Sequence, residues 1–156
     1  MNAILSDDPF MHVRPMLDTD LAQVLDIEKT GYISPWTLNI FRDCLRANYC
    51  MYVLEQGQTI IGYGVMSVVI EEAHILNICV HETYRGCGCG KHILEHLLKN
   101  ARHKGADTAF LEVNPNNHAA RKLYINMGFN QVGRRKNYYP VTQNKREDAL
   151  IMALVL

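Results

Sequence analysis

The sequence predicts a mixed α/β domain, a sheet with helices on its faces, and three observations carry that prediction. Short runs with strand-like alternation recur along the chain, segments with apolar residues every three to four positions stand between them, and glycine or proline marks most transitions. At 156 residues, 48% hydrophobic and 21% charged, the chain has the size and composition of one domain, residues 1–156, with a packed core.

Met1 to Phe10 read as a loose N-terminal extension. His12 to Met16 follow as a short strand, and Asp18 offers an N-cap for a helix whose stripe is Leu21, Val24, Leu25 and Ile27 and whose end is Gly31. Ser34-Pro35-Trp36-Thr37 marks a turn, because proline restricts the residue before it, and a second helix is expected from about Thr37 to Arg46. Tyr49 to Glu55 and Ile60 to Val69 flank Gln56-Gly57-Gln58-Thr59, which suits an antiparallel hairpin. His74 to Val80 reads as a further strand with Leu76, Ile78 and Val80 on one face and Asn77 and Cys79 on the other.

Ile93, Leu94, Leu97, Leu98 and Ala101 then recur at helical spacing, basic residues crowd the end of that helix, and Gly105 suits its C-cap. Thr108 to Val113 reads as a strand and His118 to Met127 as a helix capped by Asn117 and stopped by Gly128. Gln131 to Tyr138 and Ala149 to Leu156 are expected as closing strands.

Composition excludes several function classes. Sixteen Lys plus Arg balance sixteen Asp plus Glu, so no global field favours nucleic acid or an acidic membrane surface. No apolar run has the length of a membrane span, and Asp7 and Asp8 stand where a signal peptide would be basic and apolar, so a cytoplasmic location is expected. The odd set of five cysteines, Cys44, Cys50, Cys79, Cys87 and Cys89, reads as free thiols. Cys87-Gly88-Cys89 has no second Cys/His cluster at zinc spacing, and no metal is expected.

The segment Arg85-Gly86-Cys87-Gly88-Cys89-Gly90-Lys91 lies between a strand and a helix. Glycines let backbone N–H groups approach phosphate oxygens, and the helix start adds unpaired donors and about half a positive charge. His92 after Lys91 removes the hydroxyl a Walker loop needs, and the G-x-G-x-x-G spacing fails from both Gly86 and Gly88. A glycine-rich turn capping a helix is the bland alternative. Arg85-x-x-Gly88-x-Gly90, however, resembles the Arg/Gln-x-x-Gly-x-Gly/Ala signature of the GNAT superfamily of N-acetyltransferases, which implies loop amides holding the pyrophosphate of acetyl-CoA.

An amine attacks a thioester only when neutral, and its ordinary pKa is about 8 for an α-amino group against about 10.4 for lysine. A carboxylate to take the proton and an acid beside the sulfur are therefore the groups to seek. In Phe110-Leu111-Glu112-Val113, alternation puts Glu112 opposite Leu111 and Val113, where partial desolvation would suit a base. Standing alone, Glu112 reads better as a solvated or ion-paired strand-end carboxylate, and Tyr124 as a core aromatic at helical spacing from Ala120.

A wider resemblance reverses those readings. Leu111-Glu112-Val113, Asn117-His118-Ala119-Ala120, Leu123-Tyr124, Gly128-Phe129, Arg134 to Pro140 and Glu147-Asp148-Ala149 are similar to the RimI-type ribosomal-protein-alanine N-acetyltransferases of bacteria. The resemblance implies a central, mostly antiparallel sheet of about seven strands, Glu112 as proton acceptor and Tyr124 as proton donor. It also implies that Asn117 contacts coenzyme A, that the backbone of Ile78, Cys79 and Val80 faces the acetyl and pantetheine amides, and that a ribosomal protein N-terminus is the peptide substrate. Tyr138 and Tyr139 would receive that terminus opposite Ile33, Pro35 and Trp36, although Ser34 stands where a bulky apolar residue is usual. Cys79 reads as an apolar filler rather than a nucleophile, and Arg134-Arg135-Lys136 as a solvated strand edge. Two rival readings are an acetyltransferase for lysine or a small amine and a non-catalytic acyl-CoA-binding module.

Overall fold

In the computed structural model, which describes residues 11–142 and 145–156, the chain runs β1 (Met11–Pro15), α1 (Leu21–Gly31), α2 (Leu38–Arg46), β2 (Cys50–Gln56), β3 (Thr59–Val69) and β4 (Glu72–Val80). It continues through α3 (Cys89–His103), β5 (Thr108–Val113), α4 (His118–Asn126), β6 (Asn130–Thr142) and β7 (Lys145–Val155). The expected extension, Met1 to Phe10, lies outside the described residues.

The strands form one seven-stranded sheet in the order β1-β2-β3-β4-β5-β7-β6. All neighbours are antiparallel except β4 and β5, which the α3 crossover makes parallel. Strand alternation sends side chains to two cores. Met51, Val53, Ile60, Tyr63 and Val65 pack beneath α1 and α2, with Leu21, Val24, Ile27 and Phe41, while Leu54, Ile61 and Met66 pack beneath α3 with Ile93, Leu94 and Leu97. On β3 the two glycines that face α3 set its distance. A Cβ on Gly64 would lie 2.8 Å from Ile93 and 2.9 Å from Leu97, and one on Gly62 would lie 2.9 Å from Ile93.

Local chemistry sets the helix ends. Thr37 accepts from the Ile40 amide, Asn117 from the Ala120 amide, and Gly105 and Gly128 take the positive φ that follows a helix. The expected cap at Asp18 is corrected. A 3-10 turn, Asp18–Asp20, precedes α1, and it is Asp20 that accepts from Leu17 N at 2.7 Å and from Arg14 Nη1 and Nη2 at 2.8 Å each, while Asp18 turns outward to Arg42.

The closing hairpin is longer than its sequence suggests. Pro140 lies inside β6 instead of ending it, because β6 is the edge of the sheet and needs no ladder donor there. Asn137, at φ 54°, makes the bulge that re-aims the following tyrosines, and its amide donates to Asp148.

Candidate active site

The site begins where two strands part. β4 and β5 pair over only four residues each, from Glu72 with Thr108 to Ile75 with Leu111. Just there β4 carries an irregularity, since Val65 of β3 pairs with Asn77 and Met66 with Ile75, leaving Leu76 without a β3 partner and exposed. Beyond it Asn77 and Cys79 face the α1 side, Ile78 and Val80 the α3 side, and the strand edge toward β5 carries no ladder. The divergence opens a cleft of about 490 Å³ between Ile75 to Ile78 on one wall and Leu111 to Asn114 on the other. Two carbonyls of this edge already have partners, Ile78 from the Tyr32 hydroxyl at 2.7 Å and Val80 from Arg85 Nε at 3.1 Å.

Glu112 lines the cleft with its side chain 28% exposed. Its partner is Arg135, whose Nε stands 3.3 Å away, so part of the expected solvated edge is in fact turned to the candidate base. Tyr124 is buried, its ring edge-on to Phe129, and its hydroxyl is pushed up to about 12 by burial and then by Cys79. The ring of Tyr124 packs in the core while the residue also lines the cleft.

Asn117 reaches the same cleft from the start of α4, and Ile33, Ser34 and Trp36 reach it from the α1–α2 turn. Tyr139 closes it from β6, its hydroxyl raised by burial and then by Glu112. Tyr138 stands outside the lining, edge-on to Tyr139 at 4.9 Å and beneath the Arg135 guanidinium. Cys79 is buried, its thiol pushed up by burial and directed at the Ile27 carbonyl, an environment for a filler and not a nucleophile.

The glycine segment adjoins the cleft without lining it. Gly86 and Gly88 have φ of 76° and 84°, a conformation that side chains rarely adopt, and no atom lies within 4 Å of a Cβ built on either. Gly88 is the N-cap of α3, so the amides of Cys89, Gly90 and Lys91 lie in the first turn of a 15-residue helix, where no carbonyl of the helix itself partners them. At Gly90 the segment meets the rest of the site: an added Cβ would touch Leu123 of α4 at 3.4 Å and Val80 of β4 at 3.9 Å. An open loop of this shape fits a pyrophosphate, and the unpaired β4 edge fits an amide-bearing chain running from it.

Two lining carboxyl residues were given no role by the sequence reading, although Glu147 was noted within a family motif. Glu28, only 1% exposed, accepts from Trp36 N and Asn77 Nδ2, each at 2.8 Å, and from the Tyr63 hydroxyl. Its signal was present: Glu28 follows Leu21 and Val24 by seven and four positions, a carboxylate on the apolar stripe of α1. Glu147, opposite Tyr139 in the hairpin, accepts from Asn114 Nδ2 at 2.6 Å, a contact across 33 residues that no local pattern announces.

Comparison with known proteins places this geometry among relatives. A family model described as the acetyltransferase (GNAT) family matches residues 19–129. The chain is 37% identical over 137 residues to the [ribosomal protein bS18]-alanine N-acetyltransferase of Haemophilus influenzae, covering 88% of this chain and 93% of that one. It is 38% identical over 136 residues to the protein of the same name from Escherichia coli K12, covering 87% and 91%. Among solved structures, the ribosomal-protein-S18-alanine N-acetyltransferase of Escherichia coli superposes with a TM-score of 0.86 at 36% identity, covering 93% of both chains.

Proposed function

This chain belongs to the GNAT family of acetyltransferases, and we propose that it transfers the acetyl group of acetyl-CoA to the N-terminal α-amine of a protein, the alanine terminus of ribosomal protein bS18. The observation that supports this reading is the cleft at the β4–β5 divergence, which Glu112 and Tyr124 both line. The described residues lining it include three acidic side chains, Glu28, Glu112 and Glu147, of which Glu112 is partnered by Arg135 just outside the lining, a setting more acidic than basic that supports a cationic amine over an anionic acceptor. The names of the relatives support the choice of acceptor.

Acetyl-CoA, when bound, supplies the activated acetyl thioester. For its diphosphate the fitting residues are Arg85, Gly86, Cys87, Gly88, Cys89, Gly90 and Lys91, and for the chain beyond it the edge at Ile78 and Val80, with Asn117 at the mouth of α4. Glu112 takes the proton of the α-ammonium, directly or through water, and an α-amine needs little help because it ionises near neutrality. Tyr124 gives its proton to the departing sulfur. Ile33, Trp36 and Tyr139 wall the peptide terminus. Direct attack needs no nucleophilic cysteine, in keeping with the buried thiol of Cys79.

The test uses the purified protein, acetyl-CoA and matched peptides with free or blocked N-termini, read by mass spectrometry. The expected product is one acetyl group on the α-amine of alanine-initiated peptides. Acetylation of blocked, lysine-containing peptides alone would overturn the α-amine assignment, and binding of acetyl-CoA without transfer to any peptide would favour a binding module.

A further inference from the structure

A buried polar atom in the cleft wall, Asn77 Oδ1, has no hydrogen-bond partner among the described residues. Asn77 sits on β4 just past the irregularity at Leu76, beside Ile78 at the unpaired edge, and is 7% exposed. Buried carbonyl oxygens of this kind are rarely left without a donor. The orientation of the amide is chemically fixed. Its Nδ2 donates to Glu28 Oε1 at 2.8 Å, and the reverse orientation would set the amide oxygen against a carboxylate oxygen.

Glu28 cannot relieve the vacancy. Oε1 receives the Tyr63 hydroxyl as well as Asn77, Oε2 receives Trp36 N, and a carboxylate has no proton to give. The Tyr63 hydroxyl is committed to Glu28 and held far above its ordinary pKa by burial, then by Cys79 and Glu28. Asn77 Oδ1 itself is closed off from solvent, so a donor arriving in the cleft that the residue lines reaches it only with a small shift of the wall.

We propose that Asn77 Oδ1 receives an N–H of the acceptor amine, and that Glu28 is the positioning residue that keeps the amide turned toward it. The inference rests on the α-amine reading of this same cleft. A neutral carbonyl accepts from an ammonium and from the free amine alike, so Asn77 does not compete with Glu112 for the proton. Once Glu112 has removed it, the amine still carries two N–H bonds. One held by Asn77 restricts the direction of the lone pair, which is the orientation that attack on a thioester requires. Glu28 also fixes Trp36 N, so the same carboxylate that turns the amide holds the α1–α2 turn beside the incoming terminus.

The test is a cycle between residue and ligand. With the enzyme saturated by coenzyme A, calorimetry gives the affinity for an alanine-initiated hexapeptide and for its des-amino analogue, in which hydrogen replaces the α-amine. Wild type is expected to bind the amine-bearing peptide about tenfold more tightly, the equivalent of about 1.4 kcal/mol. Asn77→Leu is expected to bring the two within twofold while the affinity for acetyl-CoA stays unchanged, and Asn77→Ser serves where the leucine variant fails to fold. Glu28→Gln, which offers Asn77 an amide that can turn either way, is expected to give an intermediate preference. A tenfold preference retained in Asn77→Leu, or absent from wild type, would overturn the proposal. The same preference left intact by Glu28→Gln would remove Glu28 as the positioning residue. Failure of wild type to acetylate any peptide α-amine would instead sink the function, a result that the binding cycle reads separately.

Discussion

Arg135 on the outermost strand reaches across β7 to stand 3.3 Å from Glu112 on β5, and its guanidinium lies 5.0 Å over the ring of Tyr138. Ala149, the buried β7 residue opposite Arg135 in the ladder, is small enough to leave that path clear. The candidate base and the hairpin that walls the peptide terminus are thus one connected unit.

Glu112→Gln and Tyr124→Phe are each expected to lower turnover on the order of 10²-fold or more, because each removes a proton-transfer group. Affinity for acetyl-CoA should stay close to wild type, since neither side chain belongs to the glycine segment. Steady-state kinetics with an alanine-initiated peptide, paired with calorimetry for acetyl-CoA, would check both; full turnover in the two variants would discard the acid and base roles.

Cys87 should be the first thiol to react. It is the one cysteine of five that is not buried, whereas burial pushes the Cys89 thiol up to about 11 and raises those of Cys44, Cys50 and Cys79. Iodoacetamide at pH 8 is expected to modify about one thiol quickly, Cys87→Ser to abolish that phase, and acetyl-CoA to slow it by covering the loop. Mass spectrometry of the alkylated protein gives the answer directly.

Gly64→Val should destabilise the domain by about 1 to 3 kcal/mol, because the added side chain meets Ile93 and Leu97 in a filled core. Denaturant unfolding of the variant measures this, and a change within a few tenths of a kcal/mol would show that α3 can shift aside.

Asp20 supplies a pH dependence whose sign follows from its surroundings. Its carboxyl is held below the ordinary range, mainly by the Arg14 hydrogen bonds and also by the Leu17 amide, against an opposing desolvation. A depressed folded value means stability that is complete above the unfolded value, near pH 4, and lost as pH falls through the folded one. Asp20→Asn is expected to lower the melting temperature at pH 7 and to flatten the acid limb below pH 4; an acid limb as steep as wild type would assign the loss to other carboxylates.

Elements governed by local chemistry were legible in the sequence. The stripe of α3, the glycine segment before it, the start of α2 near Thr37 and the cap at Asn117 depend on neighbours within a turn, and all stand where spacing puts them. What depends on partners distant in the chain was not legible. The hairpin ends were misjudged because an edge position for β6 excuses Pro140, whereas the Asp18 cap failed on a local choice, since Arg14 and Leu17 bond to Asp20 instead. In the site, family motifs singled out Glu112, Tyr124, Asn117 and Tyr139, but Glu28 and Asn77 matter only through contacts spanning 8 to 49 residues.

The seam between β4 and β5 has a consequence for how the molecule deforms. With four paired residues on each strand, it joins two blades, β1 to β4 with α1 and α2, and β5 to β7 with α4, like the short spine of a half-open book. Each blade carries one wall of the cleft, and apart from the core they share beneath α3, the ladder from Glu72 to Ile75 is what ties β4 to β5. His74 and its stacking partner Phe110 sit in that seam, so residues outside the cleft lining stand at the point from which its two walls part.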